Sequence, residues 1–556
     1  MGSPLRSLAH DDPSAGRGRR VMHRVRRVPA LAAVLVAVTV VGAGWFAWDL
    51  VTAGDGASVG DRFDRVDSYV AAQMADARIP GVSLAIVEQG AVVHARGFGH
   101  DGRGHDVTAD TPFWIGSNTK SVTALAVMQL AESGAVDLDA PVRTYLPEFR
   151  LADEAASAQI TVRHLLDQTS GIARADGLRA VVDADPNDSI GDVVTRMTDV
   201  ELNRPVGARF EYSNLNSVVL GAVVEAVTGD PWPDYVQTHV FDPLAMTHTH
   251  TRREAADADG LTATHRTFFG FPVRTDADHL PGLAPSGYVY SSANDMARYL
   301  TAHLDGGTLD GQRVLSATGI AEMLTPATDE RTFPLQGHRF SARYGAGWFV
   351  GPFGAVDDAR WHQGSLPHFT AWMVLLPDTE QAVVVMMNAG NQLEIAGANA
   401  AWSRLPQGIV NIVVGAEPPT GTGTSRFYIA FGTLVTLALV AQAWTLGRVA
   451  TSRRHLERSA LRRVAPLAWE LVVAPLVLVG YPAVAGGLGW RAGFVFVPDL
   501  SFAVAAVAGF AVVTGFVRAL RLVRSRTVTD DIADDAPDST AAAPIPMNES
   551  ITTAAR

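Results

Sequence analysis

The sequence predicts an α+β domain, an antiparallel sheet with helices packed on it, joined to transmembrane helices. Short apolar runs face each other across tight turns near both ends of a central block. Helix-period patterns fill the stretch between them, and long uninterrupted apolar stretches lie outside it. At 556 residues the chain is too long for one compact core.

Residues 1–27 are basic and carry Arg17, Arg19, Arg20, Arg24, Arg26 and Arg27, which predicts a disordered cytoplasmic terminus. Residues 28–50 are apolar over a bilayer's width. Trp45, Phe46 and Trp48 at their outer end suit an interfacial belt, so this stretch reads as an uncleaved anchor rather than a signal peptide.

The block 61–415 is the folded domain. Val66, Val70 and Met74 repeat at helical spacing within 63–74. Runs 82–87 and 91–98 flank Glu88-Gln89-Gly90, and runs 372–376 and 382–387 flank Pro377-Asp378-Thr379-Glu380, two hairpin signals. An amphipathic helix then runs toward Val414. Residues 416–425 (AEPPTGTGTS) form a linker.

Residues 426–518 contain three further apolar spans, 427–446, 467–488 and 500–517. The loop after the first holds Arg448, Arg453, Arg454, Arg458, Arg462 and Arg463, the next only Arg491, and Arg518, Arg521, Arg524 and Arg526 follow the last. Arginine-rich loops stay in the cytoplasm, so the block 61–415 is expected outside a multi-pass cell-membrane protein with both termini cytoplasmic. Glu470 and Asp499, at span ends, read as structural. Residues 527–556 are acidic and small, which predicts a disordered tail.

Charge and composition exclude whole classes of function. Between residues 52 and 425 lie 45 of the 57 acidic residues but 25 of the 45 basic ones, a balance of −20. Such a surface repels phosphate backbones, so no nucleic-acid partner is expected. With no cysteine, thiolate zinc sites and cysteine nucleophiles are excluded.

The basic residues include a single lysine, Lys120. Arginine stays protonated whereas lysine can lose its proton, so a lone lysine marks a place needing a removable one. It falls in Phe113-Trp114-Ile115-Gly116-Ser117-Asn118-Thr119-Lys120, and a helix pattern follows through Val122, Leu125, Met128 and Leu130 until Gly134. Ser117 is therefore expected at a helix N-terminus, where free N–H groups favour developing negative charge. Lys120 sits one turn on, on the same face, where it serves as the base that a serine nucleophile needs once burial lowers its pKa.

With this S-x-x-K pattern the chain resembles the serine β-lactamase and penicillin-binding-protein superfamily, in its class C-like branch. Further segments match in order: Ile160 to Leu166 through Thr169-Ser170-Gly171-Ile172, Tyr212-Ser213-Asn214 as Y-x-N, and Leu220-Gly221 through Val227-Thr228-Gly229. Pro285-Ser286-Gly287, Tyr344 to Trp348, and His362-Gln363-Gly364 in place of K-T-G or H-x-G complete the series.

The resemblance implies a β-lactamase/transpeptidase-like sheet flanked by helices, with a mostly helical subdomain. It implies Ser117 as acylated nucleophile, Lys120 as its proton partner, and Tyr212 sharing acid and base duties. Asn214 would orient Lys120 and the substrate amide. The N–H groups of Ser117 and Ser365 would form the oxyanion hole, and His362 would stand where a positive group meets substrate or Tyr212. Gly364 is expected to let substrate lie close to a bare strand edge.

His362 departs from the lysine typical of penicillin-recognising enzymes, which weakens recognition of a substrate carboxylate and favours an esterase or peptidase. The expectation is an extracytoplasmic serine hydrolase acting on small esters or D-amino-acid peptides without metal or organic cofactor, with membrane lipid as its other partner. The alternatives are a penicillin-binding sensor or slow β-lactamase, and a non-catalytic ligand-binding protein of the same fold. His164 reads as structural. Thr247-His248-Thr249-His250 reads as a loop after Met246 rather than a zinc site, because no matching Asp-His follows and the chain has no cysteine.

Overall fold

The structure, a computed structural model, describes residues 62–335, 338–390, 392, 400–420, 423–451, 466–484 and 489–534. The predicted basic terminus and the 28–50 anchor lie outside these residues. The described chain divides into two compact units, one reaching Thr436 and including Pro482–Phe502, the other made of Leu437–Tyr481 and the chain from Ala503.

The first unit is built on an eight-stranded sheet. Its strands are β1 (Gly81–Glu88), β2 (Ala91–Gly99), β9 (Arg331–Leu335), β10 (His338–Gly345), β11 (Trp348–Phe353), β12 (Val356–Leu366), β13 (Phe369–Leu376) and β14 (Gln381–Met387). The missing numbers are short pairs: β3 (Phe113–Trp114) with β6 (Tyr290–Ser291), β4 (Thr264–Phe268) with β5 (Phe271–Thr275), and β7 (Thr308–Leu309) with β8 (Gln312–Arg313). β15 (Ala389–Gly390) adds to β4.

The sheet order is β2-β1-β14-β13-β12-β11-β10-β9. Both predicted hairpins form, and β1 pairs antiparallel with β14, Val82 opposite Met387 and Glu88 opposite Gln381, which sets the two side by side. The first closes through Gln89 and Gly90, both at positive φ, the backbone a two-residue hairpin needs.

Apolar runs in β1, β13 and β14 are continuous because both faces of the sheet are covered. Ala371, Met373, Leu375, Val384 and Met386 point into one core, whereas Trp372, Val374, Leu376, Val383 and Val385 point into the other. The second core is closed by α1 (Arg62–Ala77) and α6 (Ala400–Val413) through Val66, Val70, Trp402, Leu405 and Ile409. The first contains α2 (Thr119–Glu132), α4 (Asn214–Thr228) and α5 (Ala293–Leu304), with α3 (Arg174–Asp183) at its margin.

Among the described residues two helices are long and apolar enough to cross a membrane: α7 (Gly423–Thr451), and residues 498–523 of α10 (Pro498–Asp534). Of the predicted span 467–488, the described part is helical over 466–484 and includes α8 (Ala474–Val484), and its last four residues lie outside the described ones. α9 (Gly489–Phe496) precedes α10. α10 runs to Asp534, past the predicted tail boundary at Thr527, because the first helix-breaking proline after that boundary is Pro537. Within the second unit, Ala474, Ala508 and Ala511 pack together, and Arg518 forms a bidentate pair with Glu470 at 2.7 and 2.8 Å.

Candidate active site

Ser117 lies in a 3₁₀ turn, Gly116–Asn118, that runs straight into α2. β3 delivers the turn from one side and β12 backs it on the other. A Cβ placed on Gly364 would lie 1.7 Å from Ile115 O, and one on Gly116, at φ +54°, 2.9 Å from Gly364. The two glycines thus lock the nucleophile's turn to the sheet, backbone against backbone. This packing is by itself sufficient reason for glycine at position 364. The β11 pairing of β12 reaches Trp361, and residues 362–366 continue the pairing of β12 with β13.

Lys120 is 2% exposed, and burial holds its pKa well below the usual lysine value. Nζ lies 2.9 Å from Ser117 Oγ, 2.9 Å from Asn214 Oδ1 and 2.6 Å from Ser286 O. A carbonyl oxygen can only accept, so Asn214 and Ser286 take two N–H groups of the amine. A neutral amine has two N–H groups and one lone pair, and that lone pair is left facing the Ser117 hydroxyl. In that neutral form, which burial favours, the amine is able to accept the Ser117 proton.

Tyr212 sits beside this pair, with Nζ 5.0 Å from its ring centroid. Burial pushes its phenol well above the ordinary tyrosine range, while a hydrogen bond with Ser117 opposes the rise. Tyr212 is thus a neutral phenol able to donate a proton.

His362 is fully buried, and burial with the nearby Lys120 lowers its pKa to about 3. Its Nδ1 donates to Gln363 O at 3.0 Å, which leaves Nε2 as an acceptor 3.4 Å from Tyr344 Oη. The imidazole is neutral and carries no positive charge at this position. Its ring lies 6.1 Å from that of Tyr212. Ser365 Oγ accepts from Gln392 Nε2 at 2.5 Å.

Two contributors to this arrangement escape sequence reasoning. The first is the Ser286 carbonyl, presented by a helical turn that Thr123 Oγ1 ties to α2 through Pro285 O at 2.7 Å. The second is Gln168, buried and at φ +57°. Its Oε1 accepts from Ser213 N and Asn216 Nδ2, each at 2.7 Å, and its carbonyl from Glu211 N at 2.8 Å. Gln168 therefore grips both sides of Tyr212 and Asn214. Gln168→Ala should strand two buried donors and lower kcat about tenfold with KM little changed, read by steady-state kinetics.

Next to it, Asp167 is partly buried, which raises its pKa to about 7 despite Arg163 nearby. The folded state then binds a proton that the unfolded state has released, so stability falls as pH rises from about 4 to 7. Asp167→Asn should stabilise the protein by about 2 kcal/mol at pH 8 and by nothing measurable at pH 4, read from urea melts.

His164 closes a capping box with Thr161, a structural role as expected. His248 and His250 are spent on one carboxylate, Asp259, at 3.0 and 2.8 Å. Among the described residues no group of three or more His, Cys, Asp or Glu is arranged to hold a metal.

Comparison with known proteins gives a consistent picture. The family described as Beta-lactamase matches residues 66–405. Protein flp of Staphylococcus aureus (strain MW2) is 25% identical over 454 residues, covering 79% of this chain and 86% of its own. Penicillin-binding protein 4 of Amycolatopsis lactamdurans is 31% identical over 320 residues, 56% of this chain and 81% of its own. Among solved structures, the octameric penicillin-binding protein homologue from Pyrococcus abyssi matches with a TM-score of 0.55 and 26% identity, over 64% of this chain and 78% of that one.

Proposed function

The chain belongs to the Beta-lactamase family of serine hydrolases, and we propose that it is a membrane-anchored, extracytoplasmic hydrolase acting through an acyl-enzyme on Ser117. The observation that carries this reading is the Lys120 amine, desolvated, with two N–H groups given to carbonyl acceptors and Ser117 Oγ 2.9 Å away. Lys120 takes the hydroxyl proton as Oγ bonds to the substrate carbonyl carbon. The N–H groups of Ser117 and Ser365 receive the oxyanion. Collapse breaks the bond to the leaving group, which takes a proton relayed from Lys120 through Tyr212, and water then releases the acid by the reverse route.

The neutral His362 supports small esters or D-amino-acid peptides as substrates over penicillins, because a neutral imidazole takes the position of the lysine typical of penicillin-recognising enzymes. The two apolar helices and the arginine-rich loops support the anchored, outward-facing placement. Acylation should rise with pH as Lys120 deprotonates, with no step near pH 6.5 from His362, read as single-turnover rates between pH 5 and 9. The test of the reading is intact mass of the full chain after brief exposure to a small acyl ester or a penicillin, with Ser117→Ala as control. A transient ester adduct, little from penicillin and none in the control is expected. No adduct with either sinks it.

A further inference from the structure

The segment Tyr344 to Trp348 has no part in the chemistry above, yet it is built against the catalytic helix. Gly347, at φ +82°, leaves no room for a side chain: a Cβ there would lie 2.6 Å from Ser121 Cα and 3.0 Å from Lys120 O. One on Gly345 would lie 2.5 Å from Thr325 O. Tyr344, near the end of β10, is tied down through its backbone. Its N–H donates to Thr328 Oγ1 at 2.8 Å and its carbonyl accepts from Ala327 N at 2.8 Å. Its buried ring packs edge-on to Phe349, 4.8 Å between centroids, and to Tyr212 at 6.3 Å. So placed, the hydroxyl meets His362 Nε2 at 3.4 Å.

That contact completes the imidazole. Nδ1 is already spent on Gln363 O at 3.0 Å, so both ring nitrogens are taken by the protein. The ring is confined as well, with Phe349 at 5.1 Å and Tyr212 at 6.1 Å between centroids. The titratable groups around it are Lys120 from α2, Tyr212 from the segment before α4, and Tyr344 from β10, while β11 offers the apolar Phe349. Tyr344 is a neutral phenol, because burial, with Tyr212 and Asp167 adding to it, raises its pKa well above the ordinary tyrosine value.

We propose that Tyr344 is a positioning residue that sets the substrate class: by occupying Nε2 it withholds both nitrogens of His362 from the substrate, so the site takes acyl donors whose leaving group carries no negative charge. This rests on the Ser117 reading above. A carboxylate entering beside His362 gives up its water and finds no hydrogen offered by the ring in return. Without the Tyr344 hydroxyl, Nε2 becomes a buried acceptor lacking a partner, which costs free energy until a proton or a group of the substrate fills it. A proton is taken more readily as pH falls, and the resulting imidazolium draws a carboxylate in.

The experiment uses the full chain in detergent micelles with one aryl acetate in two forms, its leaving phenol bearing a carboxylate or a carboxamide at the same ring position. The intact chain should favour the carboxamide form about tenfold in kcat/KM. Tyr344→Phe keeps the ring and loses only the hydroxyl. It should match the intact chain's preference at pH 8 and show one about threefold smaller at pH 5, through KM of the carboxylate ester. Lys120 gains its proton in both proteins alike, so comparing them at each pH removes its effect. A merely structural role would slow both esters together and leave their ratio alone. Tyr344→Phe combined with His362→Asn should lose the extra pH dependence, because no imidazole remains to be protonated.

No preference in the intact chain overturns the proposal, as does one that Tyr344→Phe changes equally at pH 5 and pH 8 or not at all. If neither ester is hydrolysed, it is the Ser117 reading that fails, and equilibrium binding of the same two esters to Ser117→Ala then decides the role of Tyr344. Tighter binding of the carboxamide form, with the difference narrowed at pH 5 by adding Tyr344→Phe, supports it. Equal affinities, or a difference that does not narrow, overturn it.

Discussion

Lys120→Arg should reduce acylation of Ser117 by about 10³-fold or more, within the range expected for loss of a general base. The substitution removes the proton acceptor and fixes a positive charge there, because a guanidinium does not deprotonate in proteins. It also removes the geometry: three heavy-atom partners at 2.6 to 2.9 Å are spaced for one nitrogen, not a planar fork. Burial of a permanent charge in a pocket that depresses even lysine should lower the melting temperature as well. Lys120→Met, equally unable to accept a proton but without that charge, separates the two effects. It should be as inactive as the arginine variant and more stable, with acylation followed by intact mass and stability by thermal melts. An arginine variant that still acylates would sink the lysine-base mechanism.

Gly364→Ala should cost about 10²-fold in turnover and 1–3 kcal/mol in stability. Its new methyl would sit 1.7 Å from Ile115 O, 2.6 Å from Ile115 C and 2.9 Å from Gly116 Cα. All three are backbone atoms, which cannot swing aside as a flexible side chain would. The turn carrying Ser117 must move, taking the hydroxyl away from Lys120 and from β12. A kinetic assay beside a urea melt distinguishes this from simple unfolding, since the surviving folded enzyme should itself be slow. Full activity in a folded Gly364→Ala protein would mean that the nucleophile's turn is not held by this strand.

Much of this was legible because it rests on local pattern. Gln89-Gly90 announces a hairpin, the period through Val66 and Val70 announces α1, and the run after Lys120 announces α2. The nucleophile and its base are one turn apart, so their meeting also follows from the chain. What sequence could not show is set by long-range approach. Gly364 is needed bare by Ile115, roughly 250 positions earlier, and no periodicity reports that. His362 is neutral because of what surrounds it, which its own neighbours in sequence do not reveal. Ser286 contributes a carbonyl, a group every residue has, so its identity carries no signal. Asp259 settles between His248 and His250 from a separate turn of chain. Charge alone does not stop a helix, and α10 continues through Thr527.

The partners of Lys120 are 3, 94 and 166 positions away in sequence, and β1 finds β14 only after some 300 residues have been made. Contacts so distant are closed late, because loop entropy opposes each until its neighbours are in place. During synthesis from the N-terminus, the segment bearing Ser117 and Lys120 emerges long before the strand that seats its turn. Until β12 to β14 are translated and docked, the lysine is solvated and fully protonated, and the serine is an ordinary hydroxyl. Reactivity is thereby withheld from every nascent or truncated form of the chain and conferred at one late step, when the sheet closes.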